Sequence, residues 1–113
     1  MKLITALIRP FKLDEVRNSL LRFGHVATIT EVKTFTPRRD EAPGSPHSVE
    51  AHKFYTKVKI EVLVPGEEAE KAIAILRHAA QTGRLGEGDG LIFVSPVEHA
   101  IRIRTGVQDD KAV

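Results

Sequence analysis

The sequence contains no cysteine, which excludes disulfides, zinc–thiolate centres, iron–sulfur clusters and thiol catalysis, and fits a reducing compartment. It has little net charge. Seventeen basic against 15 acidic residues leave +2, too small an excess for the broad basic face that salt-dependent phosphate contacts need, so nucleic acid is not an expected partner. Long hydrophobic runs are missing too. No apolar stretch reaches the length of a bilayer-spanning helix, and the opening run closes at Arg9-Pro10 without the form of a cleavable signal. A cytoplasmic protein, not itself embedded in a membrane, is the expectation. At 113 residues a single domain, 1–113, is expected, of a size that self-association would help to stabilise.

What is present alternates between strand and helix signals. Leu3-Ile4-Thr5-Ala6-Leu7-Ile8 reads as a strand buried on both faces. Leu13, Val16, Leu20 and Phe23 then recur at helical spacing, with Gly24 as the stop. β-Branched alternation returns over residues 26–35 and again over 54–64, where Val58, Ile60, Val62 and Val64 share one face. Pro65-Gly66-Glu67-Glu68 opens a second helix whose stripe is Ala69, Ala72, Ile73, Leu76, Ala79 and Ala80. Residues 91–94 and 100–104 supply the last extended segments. The order predicts an α+β, ferredoxin-like βαββαβ sandwich. Both helices then cover one sheet face, and a further copy of the chain is the simplest cover for the other.

The chemistry concentrates at the end of the chain. In Thr82-Gly83-Arg84-Leu85-Gly86-Glu87-Gly88-Asp89-Gly90, Gly86, Gly88 and Gly90 allow bare backbone N–H groups to approach an anion. Arg102 and Arg104 are two apart, so on a strand both guanidinium groups would project from one face, about 7 Å apart, with Ile101 and Ile103 toward the core. Forked, permanently charged donors beside a glycine nest suit a polyphosphate. A plain turn followed by an edge strand with a solvated polar face reads the same residues without a ligand.

The other polar groups have plainer readings. Five histidines (His25, His47, His52, His78, His99) are scattered and read as surface residues, with His47 and His52 the pair worth testing for metal. Asp14-Glu15 and Glu67-Glu68 read as helix first-turn acids, Ser45 and Ser48 lack a poised base, Tyr55 belongs to a strand, and Asp109-Asp110 reads as a solvated tail. No catalytic residue and no resident metal are expected. Glu87 and Asp89 are the only acids in the glycine turn, where a hydrolytic enzyme would need a base or a metal-held water.

Six ordered blocks carry a resemblance over nearly the whole chain: Ile8-Arg9-Pro10-Phe11-Lys12-Leu13-Asp14-Glu15-Val16, Thr30-Glu31-Val32-Lys33, Lys57-Val58-Lys59-Ile60-Glu61-Val62, Ala80-Gln81-Thr82-Gly83, Ile92-Phe93-Val94 and Arg102-Ile103-Arg104-Thr105-Gly106. The chain resembles the PII signal-transduction proteins, trimeric ferredoxin-like regulators that bind adenine nucleotides between subunits. The resemblance implies a homotrimer with ATP, ADP or AMP as effector ligand, no covalent cofactor, and a target enzyme or membrane transporter as partner. It makes residues 36–53 the T-loop, expected to stay mobile until a partner orders it, and 82–90 the B-loop, which holds phosphates. The nucleobase is then expected near Leu7, Thr28, Glu61 and Leu63, with Lys57 and Lys59 close to the T-loop base and with Thr34, Phe35 and Lys57 among the nucleotide-binding residues. Gly86, Gly88, Asp89 and Gly90 would line the phosphates, gripped by Arg102 and Arg104 from a neighbouring subunit.

The chain also departs from the family pattern. Arg38 stands where nitrogen-sensing members carry a glutamine that helps hold magnesium and 2-oxoglutarate, and Glu50 stands at the modifiable tyrosine. With Arg39 these make a divergent partner or effector loop. Thr34 and Thr36 replace the glycines that flank the loop's first phenylalanine. The B-loop is two residues longer than usual, and Leu91 sits where a phosphate-binding lysine precedes Ile92-Phe93. The departures suggest ADP or AMP bound at least as well as ATP, and a carbon-related branch responding to bicarbonate. The alternatives are a conventional nitrogen regulatory PII protein, or a nucleotide-hydrolysing enzyme on the same fold.

Overall fold

The computed structural model describes residues 1–35, 54–83 and 88–113. The expected T-loop, with Arg38, Arg39, His47, Glu50 and His52, lies outside the described residues, as does Gly86 of the glycine turn.

The chain forms β1 (Lys2–Ile8), α1 (Leu13–Phe23), β2 (Ala27–Thr34), β3 (Tyr55–Val64), α2 (Ala69–Ala80) and β4 (Gly90–Pro96), with single 3-10 turns at Pro10–Lys12 and Gly66–Glu68 leading into the helices. The four strands make one sheet in the order β2-β3-β1-β4, each neighbour antiparallel, which is the expected ferredoxin-like arrangement.

Register decides which side chains meet. Ile4 lies opposite Val62 on one side and Val94 on the other, so the even-numbered residues of β1, β3 and β4 share a face. Ile4, Ile60, Val62, Val64, Val16, Ala72 and Leu76 are fully buried there, between that face and the stripes of both helices. α1 stops at Gly24, whose φ of 89° is left-handed and whose N–H donates to the Leu20 carbonyl at 3.0 Å. The opposite face carries Leu3, Thr5 and Leu7 of β1, the odd residues of β3, and Leu91 and Phe93 of β4, which remain 60% and 45% exposed.

The last segment departs from expectation. Residues 100–104 are not a strand: Ile101 makes one isolated bridge to Gln108, and the chain reverses between them. The Arg102 N–H donates to the Val107 carbonyl at 2.9 Å, the Gly106 N–H donates to the Arg102 carbonyl at 2.8 Å, and Gly106 adopts φ 73°. A reversal this tight leaves no room for period-two phasing. Ile103 is wholly exposed and Ile101 is 60% exposed, so neither faces the core. Beyond the hairpin, Asp109 is pinned rather than free in solvent. Its N–H donates to the Ala100 carbonyl at 2.7 Å, its carboxylate accepts the Ala100 N–H at 3.3 Å, and Ala112 is buried.

Candidate functional site

Two polar constellations lie on or beside the sheet face that the helices leave open. The first sits where β1 ends. Continuing the β1–β3 register past Ile8↔Val58 places Arg9 opposite Lys57, and both are buried, at 7% and 5% exposure. Two adjacent buried cations need anionic or carbonyl partners. The glycine turn provides them. The Gly88 carbonyl accepts from Arg9 Nε at 3.0 Å and Lys57 Nζ at 3.5 Å, and Asp89 Oδ1 lies 3.4 Å from Arg9 Nε. The Asp89 carboxylate also accepts the Thr82 N–H at 3.0 Å and the Thr82 hydroxyl. These Thr82 bonds, opposed by desolvation and helped to a lesser degree by the Gly83 N–H and Arg9, hold the Asp89 carboxyl below its ordinary value of 3.8.

The second constellation is a groove of about 510 Å³ lined by Leu3, His25, Val26, Thr28, Glu61, Leu63 and Ala100 to Arg102, with Ala112 and Val113 at one side. Thr28 is the cross-strand neighbour of Glu61, and Lys59 Nζ lies 4.0 Å from Glu61 Oε1. Three of the residues expected together, Thr28, Glu61 and Leu63, therefore share one groove. Leu7 does not join them; it opens on a separate cleft of about 210 Å³ beside Asp89, Gly90 and Leu91. Thr34 pairs with Tyr55 at the far end of β2, where the Phe35 and Phe54 rings meet edge to face at 5.7 Å across the root of the 36–53 segment. Arg104 lines a shallow depression of the 101–107 hairpin with Arg102 and Lys111.

Sequence reasoning did not single out Arg9, and it took His25 for a surface residue. The His25 side chain is only 14% exposed; it shares a hydrogen bond of 2.8 Å with Glu68 and meets the Phe23 ring at a tilt of 50°, with centroids 4.8 Å apart. Glu68 is thus a tie between the start of α2 and the entry to β2, not simply a first-turn acid. Among the described residues no group of three His, Asp or Glu side chains is placed to hold a metal ion. No helix among them is long and apolar enough to cross a membrane.

Comparison with known proteins gives the constellations a frame. Residues 1–107 match the family model described as nitrogen regulatory protein P-II. The chain belongs to the PII family. The nitrogen regulatory protein P-II of Bradyrhizobium diazoefficiens is 48% identical over 110 residues, covering 94% of each chain. Nitrogen regulatory protein P-II 1 of Escherichia coli K12 is 43% identical, with all of both chains covered. A crystal structure of Arabidopsis thaliana PII bound to citrate superposes with a TM-score of 0.77 at 33% identity, covering 99% of this chain and 91% of that one. As a PII protein the chain is a non-enzymatic signalling regulator, so hydrolysis by Glu87 and Asp89 is set aside.

Within one copy of this PII chain the glycine turn and the arginines lie apart. Gly90 pairs with Ile8 and Pro96 with Lys2, so β4 carries the chain about 20 Å from the glycine end of the sheet before the hairpin of Arg102 and Arg104 begins. The two halves of the expected anion site stand at opposite ends of one subunit.

Proposed function

We propose that this PII protein is a homotrimeric regulator that binds adenine nucleotide in clefts between subunits and signals to a target enzyme or transporter through residues 36–53. The observation that carries the reading is the separation of the glycine turn from the arginine hairpin. A phosphate cup built from Gly88, Asp89 and Gly90 together with Arg102 and Arg104 needs the turn of one copy and the hairpin of another. The groove of Thr28, Glu61 and Leu63, walled by apolar and polar groups alike, suits a nucleobase with its edge donors on Glu61. Exposed Leu91 and Phe93 on the open sheet face support assembly, because a neighbouring copy would remove them from water.

The names that the relatives carry favour nitrogen regulation over the bicarbonate-responsive, carbon-related branch. Arg38 and Glu50 nonetheless set this chain apart: a guanidinium does not ligate a cation, and a carboxylate cannot be uridylylated. The expected behaviour is nitrogen-type signalling without a tight magnesium–ATP–2-oxoglutarate complex. ADP or AMP is expected to bind at least as tightly as ATP, because Leu91 offers no cation to a terminal phosphate. Calorimetric titration of ADP, AMP and ATP, with and without 2-oxoglutarate or bicarbonate, tests this. ATP binding a hundredfold tighter than ADP, or a strong 2-oxoglutarate effect, would contradict it.

A further inference from the structure

Asp89 is held with unusual firmness for a residue in a glycine turn. Gly90 follows it at φ +118°, and a Cβ there would run into the Leu7 carbonyl oxygen, so the turn is seated directly against β1. Thr82 grips the carboxylate from the other side through its N–H and hydroxyl. Between these two anchors the carboxylate faces Arg9, 3.4 Å from Nε, while the preceding Gly88 carbonyl takes hydrogen bonds from both Arg9 and Lys57. Residues 88–89 therefore lie across two buried cations, meeting one with a full negative charge and both with a carbonyl dipole. A charge-assisted contact of this kind is the sort that an incoming phosphate oxygen makes. The protein already makes it with its own side chain.

We infer that Asp89 is a tethered anion: it caps the Arg9–Lys57 pair, and a phosphate-bearing ligand reaches those cations only by displacing it. The inference rests on the reading of the glycine turn as phosphate-holding and adds the residue that sets the threshold for entry. The tether is local and always present, so it competes at constant effective concentration whatever the ligand supply. Its lowered carboxyl pKa keeps it ionised, and so competitive, throughout the neutral range. It also gives the turn two arrangements, Asp89 on Arg9 or ligand on Arg9, which is the minimum a signalling loop needs to report occupancy.

The test is titration calorimetry with ADP and with inorganic pyrophosphate on the full chain and on two variants, Asp89→Asn and Thr82→Val, each checked for its melting temperature. Asp89→Asn removes the charge and keeps the shape, and should bind both probes about tenfold more tightly. Thr82→Val leaves the charge and removes one anchor, and should give a smaller gain in the same direction. ADP binding by the native chain with no gain, or a loss, in both variants overturns the tether while leaving the nucleotide reading intact. Failure of all three proteins to bind either probe overturns both.

Discussion

At Gly90 only hydrogen fits. Its φ of +118° is one that side-chain-bearing residues rarely adopt, and the space where a Cβ would go is filled by the Leu7 carbonyl oxygen. Because that neighbour is sheet backbone and not a flexible side chain, it cannot step aside cheaply. Gly90→Ala should therefore destabilise the fold by about 2 kcal/mol or more, read as a lowered midpoint in urea unfolding. Asp89 makes a second prediction. Its folded-state pKa is lowered, so its carboxylate contributes stability in full above the ordinary value of 3.8 and loses it as pH falls through the folded value. The stability gap between the native chain and Asp89→Asn should thus be constant near neutrality and close below about pH 4, followed by thermal unfolding across pH. Little of this was legible residue by residue. Arg9 reads as an ordinary cation before a proline until the β1–β3 register sets it beside Lys57, and its partner Asp89 is 80 positions away in the chain. His25 and Glu68 meet across a separation of 43 residues. Such pairings are products of the topology, and composition and local spacing carry no trace of them.

The elements themselves were far more legible, because their signals are local. In β3 the alternation of Val58, Ile60, Val62 and Val64 against Lys57, Lys59 and Glu61 is a direct record of one covered face, and those three valines and one isoleucine are buried as the pattern requires. α1 was bounded by its stripe and by Gly24, and α2 by its acids and alanines. Leu76 is the largest side chain of the α2 stripe to be fully buried; Leu76→Ala should cost about 2–5 kcal/mol with the secondary structure retained, by denaturant titration followed through circular dichroism. The segment at 100–104 was misread for a physical reason. Ile-Arg-Ile-Arg alternates like a strand, but Thr105-Gly106 reverses the chain after a single bridge, Ile101 to Gln108. Once Gly106 takes a left-handed φ, the run is the arm of a hairpin with both isoleucines in the open. Periodicity in so short a run reports composition, and the turn that follows decides the geometry.

At the scale of the whole molecule, one sheet carries covered and uncovered faces of different character. The helix face is filled by aliphatic side chains and alanines. The open face presents Leu91 and Phe93 on β4 and, across β1, Glu61, Lys59 and Thr28 on β3 and β2, apolar and polar groups that a second copy could share. The ferredoxin-like order could be read from the succession of strand and helix signals, and the family from six short blocks of sequence. That the glycine turn and the arginines stand at opposite ends of one subunit could not, because the distance between them is set by the length of β4 and by the hairpin that follows it. The central claim is that two copies jointly make each nucleotide cleft. It is tested most directly by mixing. One variant, Arg102→Ala with Arg104→Ala, lacks the hairpin cations; another, Gly88→Val, has a blocked glycine turn. Each alone should bind ADP at least tenfold more weakly than the native chain. After co-refolding, assemblies containing both should regain native-affinity sites at a fraction of the native number, since some clefts then join an intact turn to an intact hairpin. A mixture that binds ADP no better than its two parents would contradict the account.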